Sequence, residues 1–296
     1  MAHPTTVDRL ALGDHVCWTF QGEGERLDAM ARFVSAGLEH GHKVVYSTAS
    51  LAPAAVLAGL RARGVRVAEP ARTGQLQAQS SATAFTAAGD FSADQLLDAY
   101  ATEIARSDRE GYAGVRIIGD MAWASDSAVT TEALAEFEVR ANALFAQGHA
   151  VGLCQYDRRQ FPATALRRVG AAHFGTTWSE TDQRWSPLLR MTRTENPPGL
   201  RLVGEVDISN YDAFTGVLRA AVAEQRADPR PTALVIDAGA LRFVDARGVG
   251  LLVEAAATAP AGVHLRCCQP VLAQSIAAVE PGAPGLTVSF SDTGAT

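Results

Sequence analysis

Two histidines and two cysteines, His15, Cys17, Cys154 and His173, are of the side-chain types that bind zinc. His15 and Cys17 stand two apart in the β-type run HVCWTF, so their side chains share one face of a strand. The four form a ligand set in composition only, because the short paired spacings of closed zinc sites are missing. Small core thiols, and histidines that satisfy backbone carbonyls, therefore lead over a metal centre. A second group, Cys154-Gln155-Tyr156-Asp157-Arg158-Arg159, ends a later apolar run. Its two guanidinium groups suit an anionic ligand, or Arg158 pairs with Asp120, which ends the run VRIIGD. Trp18, Trp123, Tyr156 and Phe161 supply either apolar pocket walls or plain core.

Catalytic signatures are missing. The chain has no Gly-x-Ser-x-Gly, no His-Glu-x-x-His and no credible acid/base pair, so a binding protein is expected rather than an enzyme. The loop Gln21-Gly22-Glu23-Gly24-Glu25-Arg26 lacks the Gly-Lys-Ser/Thr ending, and its two glutamates repel phosphates. A working phosphate loop is rejected despite the Walker-B-like IIGD of residues 117–120, and no cofactor is expected.

The elements that must position these groups alternate. Strands are predicted over 15–20, 43–48, 75–78, 115–119 and 150–156, with an antiparallel edge candidate over 185–191. Helices are predicted between them over 25–39, 53–63, 92–107 (capped by Ser92), 127–147 and 163–172. This alternation generates a parallel sheet covered by helices, in which ligands bind beyond the carboxyl ends of the strands. TRTENPPG, residues 192–199, cannot continue a helix or a central strand and reads as the domain seam. The expected domains are 1–192 and 200–296, with 193–199 as linker. The second holds strands over 200–206, 233–237, 263–267 and 286–290 and helices over 211–226, 247–257 and 271–279. A tight connection and a short apolar segment, 241–244, follow its second strand.

With 296 residues and 47% hydrophobic content, two cores are affordable and disorder is excluded. Lys plus Arg number 26 against 32 Asp plus Glu, a net charge of -6 with no basic stripe, which argues against nucleic acid as a partner. No run approaches the roughly 18 apolar residues of a membrane span, and the N-terminus is too polar for a signal peptide. Four cysteines do not make a disulfide framework. A cytoplasmic protein with reduced thiols is expected.

The segment LVIDAGALRFVDARGVGLL, residues 234–252, places Asp245 as cap of a helix whose first turns contain Gly248 and Gly250. With GEVD at 204–207 and Asn210, it resembles the STAS family of sulfate-transporter and anti-sigma-factor-antagonist domains over residues 198–292. The resemblance implies that Asp207, Asn210, Asp245, Ala246, Arg247 and Gly248 dock an anti-sigma factor or related kinase-fold protein; the plainer alternative keeps Asp245 as a helix cap alone. Regulatory members carry Asp-Ser-Ser-Gly or Asp-Ser-Thr-Gly, phosphorylated on the first hydroxyl, where this chain has Asp245-Ala246-Arg247-Gly248. Ala246 has no oxygen to accept a phosphoryl group, so the phospho-switch is lost.

The strand ends HVCW (15–18), GDMAW (119–123) and CQYDRR (154–159), with Phe161 and His173-Phe174, resemble the MEDS sensory domain over most of residues 8–190. That family implies a RecA-like or KaiC-like three-layer α/β domain that senses small molecules such as hydrocarbon derivatives. His15, Cys17, Trp18, Asp120, Trp123, Tyr156, Asp157, Arg158 and Arg159 are then the candidates for binding a small apolar or anionic ligand. Together the two resemblances imply a bacterial signalling protein with a sensor joined to a docking domain. The alternatives are a ligand-free scaffold that forms a homo-oligomer or recruits partners, and an unrecognised enzyme.

Overall fold

The computed structural model describes residues 6–81, 91–125, 129–177 and 189–290. Six strands, β1 (His15–Phe20), β2 (Lys43–Thr48), β3 (Leu76–Ser80), β4 (Val115–Asp120), β5 (Ala150–Asp157) and β6 (Gly175–Thr177), pair in the order β3-β2-β4-β5-β1-β6. Every pairing is parallel. β1, β2, β4 and β5 are buried along their whole length, as a sheet covered on both faces requires.

Helices α1 (Glu23–Glu39) and α2 (Pro53–Ala62) cover one face, packing on Val16, Trp18, Val44, Tyr46, Ile118 and Leu153. Beyond α2, the short helix α3 (Ala68–Thr73), which has no side-chain cap and was not expected, leads to β3. The other face carries α4 (Ala93–Arg109), α5 (Thr131–Phe145) and α6 (Ala163–Ala171), packed on Cys17, Val45, Ile117, Cys154 and Tyr156. Ser92 caps α4 as expected, accepting a bond from the Gln95 amide, and Thr130 caps α5 through Ala133. The positions 127–128 at the predicted start of α5, and 185–188 of the predicted edge strand, lie outside the described residues.

Lys43 and Arg116 are buried cations that fasten this domain. Lys43, the lone lysine, bridges Glu103 on α4 (3.1 Å) and Glu110, the residue that ends it (2.5 Å). Arg116 donates to the carbonyls of Phe33 and Leu10, both at 3.2 Å, and to Nδ1 of His42 at 3.3 Å. Gly37 makes room for it, since a Cβ there would stand 2.6 Å from Arg116 Cδ.

The second sheet runs β11-β10-β9-β8-β7, from β7 (Leu189–Glu195), β8 (Pro198–Val206), β9 (Leu234–Val244), β10 (Val263–Cys268) and β11 (Leu286–Phe290). It shares a core with α7 (Tyr211–Ala227), α8 (Ala246–Thr258) and α9 (Pro270–Val279). β7 pairs antiparallel with β8 and the remaining pairs are parallel. The expected seam at 192–199 is therefore corrected: it is the hairpin between β7 and β8, and the boundary precedes Leu189. Proline ends a strand equally well at a turn within a domain, so composition alone could not separate the two cases. The antiparallel edge strand exists, but in the second sheet. The tight connection after Asp237 is also corrected, because β9 continues to Val244 with register shifts against β8.

The domains touch. Arg190 on β7 makes two bonds to Asp14, at 2.5 and 2.6 Å, immediately before β1. The Arg193 amide donates to Ala146 O at 2.7 Å, and Arg168 on α6 pairs with Asp212 on α7.

Candidate functional site

The pleat of the sheet divides the expected ligand-binding residues. Trp18 points towards α1, stacked on Phe20 at 5.3 Å, in register with Gln155 and Asp120 across three strands. Asp120 is buried and saturated. Its Oδ2 accepts from the Ala49 and Ser50 amides (3.1 and 2.9 Å), Ser50 Oγ (2.5 Å) and Arg26 (3.2 Å). Its Oδ1 accepts from the Ala122 amide at 3.2 Å. The suggested Arg158–Asp120 pair is thus corrected to Arg26–Asp120. Arg26 reaches this position from the first turn of α1, at the end of the segment 21–26 that lacks a phosphate-loop pattern.

Arg158 lies exposed at the rim, 3.5 Å from Gln21 Oε1. Asp157 is held by Arg159 through bonds of 2.9 and 2.6 Å. Burial alone would raise the Asp157 carboxyl, but the Arg159 bonds bring it below the usual carboxylate range. Trp123 stacks on Phe91 at 5.3 Å, and Tyr156 packs edge-on to Phe161 at 5.1 Å. These residues are sorted onto two faces and a rim rather than gathered around one cavity.

The α5 face gathers a tighter group. His15, Glu138, Cys154 and His173 are all buried, with one donor atom from each within 4.8 Å of the others. Glu138 Oε2 lies 3.3 Å from His15 Nε2, 3.4 Å from His173 Nε2 and 3.5 Å from Cys154 Sγ. Cys154 Sγ is 3.4 Å from His15 Nε2, and Tyr156 donates to Glu138 Oε1 at 2.5 Å. Three of the four zinc-type residues singled out in the sequence meet here. Cys17 is not one of the grouped ligands, although it sits on the same face in register with Cys154.

Glu138 takes the fourth place. It sits on the apolar stripe Leu134, Phe137, Ala141, Phe145, and a carboxylate on that stripe was the signal available in the sequence. Burial would raise its carboxyl, but the imidazoles of His173 and His15 hold it below the ordinary range. Burial, with His173 next, lowers His15 despite Glu138, and burial followed by Glu138 raises the thiols of Cys17 and Cys154.

In the second domain Asp245 caps α8, accepting from the Gly248 amide at 2.8 Å through Oδ1, and Tyr211 donates to its Oδ2. Burial and that bond push the Tyr211 hydroxyl up to about 12. The Arg247 guanidinium lies 4.7 Å from the centre of the Tyr211 ring. Ala246 and Arg247 are exposed. Gly248 is required by packing, since a Cβ would stand 2.7 Å from Val244 Cγ2 and 2.9 Å from Val206 Cγ1, whereas Gly250 faces open space.

Asp207 Oδ1 accepts from the Ser209 amide and hydroxyl at 2.8 and 2.5 Å. Asn210, expected to dock a partner, is fully buried and instead closes the turn, bonding the Asp207 amide and the Glu205 carbonyl. Ile208 and Phe243, missed in the sequence, are exposed on that turn and at the end of β9. Isolated apolar residues in a β-type run look like core until the sheet's free face is known.

A family model described as MEthanogen/methylotroph, DcmR Sensory domain matches residues 14–174, and one described as Mlab, STAS domain matches residues 189–280. The second match begins at the first residue of β7, where the sheet also places the boundary. No curated protein matches this chain. Among solved structures, the flagellar accessory protein FlaH from Methanocaldococcus jannaschii is similar over 69% of this chain and 82% of its own. Its identity is 8% and its TM-score 0.41. A sensory domain followed by a STAS domain is the composition of a signalling protein. With the first match spanning more than half of its length, the chain belongs to the MEDS family and carries a STAS domain after the sensory domain.

Proposed function

We propose that the MEDS domain senses a small molecule and that the STAS domain docks an anti-sigma factor or related kinase-fold partner without a phosphorylation switch. The observation that carries this reading is Ala246, exposed in the first turn of α8 beside the Asp245 cap, where regulatory STAS domains carry a phosphoacceptor hydroxyl. Arg247 beside it adds a positive charge, and Ile208 and Phe243 add apolar surface, the mixture that suits a protein partner. Asp14–Arg190 and the α5–α7 contact give the sensor a physical route to the docking domain.

The reading is of binding, not catalysis. Burial raises the thiols of Cys17 and Cys154 away from the thiolate that a nucleophile needs. Among the described residues no helix is long and apolar enough to cross a membrane, and we assign the protein, with that partner, to the cytoplasm.

The test is incubation of the full chain with its cognate anti-sigma kinase and ATP, followed by mapping of phosphate by mass spectrometry. Residues 240–252 should remain unmodified. Phosphate on Ser209 or Ser275 would show a relocated switch and overturn the reading.

A further inference from the structure

We propose that His15, Glu138, Cys154 and His173 bind one divalent metal ion of the zinc class. The spacing fits. Zinc bonds of about 2.0–2.3 Å set at tetrahedral angles separate donors by about 3.3–3.8 Å. Four of the separations in the group are 3.3, 3.4, 3.4 and 3.5 Å. Two imidazoles, a carboxylate and a thiol are the donor types zinc takes, and four protein ligands leave no position for a substrate, which makes the site closed and structural.

The hydrogen bonds around the ligands fix both rings for this role. His173 Nδ1 lies 2.7 Å from the Val169 carbonyl, and His15 Nδ1 lies 3.1 Å from Asn142 Oδ1. The Asn142 amide cannot be reversed, because its Nδ2 donates to the carbonyls of Glu138, Val139 and Ala172 at 2.9, 3.2 and 2.7 Å. Both Nδ1 atoms therefore carry the proton, and both Nε2 lone pairs face the Glu138 carboxylate. Outer-shell acceptors hold metal-bound histidines in this way.

With neutral rings, acceptors face acceptors in a fully buried place. Among the described residues His173 Nε2 has no hydrogen-bond donor or proton partner, only the Glu138 carboxylate 3.4 Å away, and such a group costs stability unless something neutralises it. A cation at the centre satisfies both Nε2 atoms and Oε2 together. Binding leaves Cys154 as the thiolate and releases its proton to solvent. Gly152 holds the space for this arrangement, since a Cβ there would stand 2.6 Å from both His15 Cδ2 and Phe145 Cζ.

The experiment measures metal in the full-length chain by mass spectrometry after dialysis against buffered zinc, then replaces zinc by Co2+ and records the visible spectrum. About one ion per chain is expected, with tetrahedral Co2+ bands and a thiolate charge-transfer band. Cys154→Ser should lose the charge-transfer band and Cys17→Ser should keep it. Asn142→Leu should weaken zinc about 10–100-fold, the effect of losing an outer-shell partner. Folded wild-type chain that takes up no zinc would overturn the proposal, because the group would then be an imidazolium–carboxylate network. A charge-transfer band that survives Cys154→Ser, or moves with Cys17→Ser, would overturn it by placing the ion elsewhere. If Cys154→Ser does not fold, the wild-type stoichiometry and Co2+ spectrum decide.

Discussion

Gly216 on α7 lies so close to Val139 on α5 that a Cβ there would stand 2.6 Å from Val139 Cγ1 and 2.9 Å from the Val139 carbonyl oxygen. The neighbouring Glu138 points the other way, into the histidine pair. One helix of the sensory domain thus bears the carboxylate of the buried cluster and the contact surface of the STAS domain. Gly216→Val should cost about 1–3 kcal/mol by overpacking. In urea the variant should show two transitions where the wild type shows one, and a single unshifted transition would show that the two helices are not in contact in solution.

Asp14 and Arg190 fasten the same junction one residue before His15. Asp14 is buried, and without Arg190 the bond left to its carboxylate among the described residues is from the Ala11 amide at 2.8 Å. Arg190→Ala should destabilise the chain by about 1–3 kcal/mol, the cost of a buried acceptor losing its partner. A double-mutant cycle with Asp14→Asn measures the coupling, and additive losses would contradict the pairing.

Much of this was legible in the sequence. Continuous apolar runs such as KVVYST and VRIIG mark strands buried on both faces, and Ser92 and Asp245 announce helix starts that the structure bears out. The hairpin at TRTENPPG was not, because turn residues punctuate a sheet and a linker alike. Residue type alone groups His15, Cys17, Cys154 and His173, whereas the fold brings together His15, Cys154, His173 and Glu138; Cys17 stays outside and Glu138 was not foreseen, because nothing local says which helix faces β1. Arg26 was missed for the same reason. Its pairing with Asp120 spans 94 positions and depends on strand order, which periodicity does not encode.

The Arg26–Asp120 pair leads to a prediction about nucleotides. Asp120 is committed to Arg26 and to the amides of Ala49 and Ser50, so ATP should not bind at micromolar concentration in calorimetry. Asp120→Ala should instead destabilise the fold by about 2–4 kcal/mol by stranding a buried guanidinium and two amides. Tight ATP binding abolished by that variant would contradict this account.

His42 gives the chain a definable acid sensitivity. Burial, the Arg116 guanidinium that donates to its Nδ1, and His40 together lower it from 6.5 to about 4. The unfolded chain therefore takes up this proton first as pH falls, and the contribution to stability is complete above about pH 6.5 and lost between about 6.5 and 4. His42→Gln keeps an acceptor for Arg116 and removes the titration. Stability measured between pH 7 and pH 5 should fall less steeply in the variant, and equal slopes would show that His42 is not shielded.

The central claim is that the first turn of α8 docks a partner and has no phosphoacceptor. It is tested most directly by the dissociation constant of the complex with the anti-sigma partner for Ala246→Asp beside the wild type. The substitution places a negative charge at an exposed helix start and should cost the fold little, so a folded variant is expected to bind at least about tenfold more weakly. An unchanged dissociation constant in the folded variant would contradict the account, because the partner would then dock elsewhere.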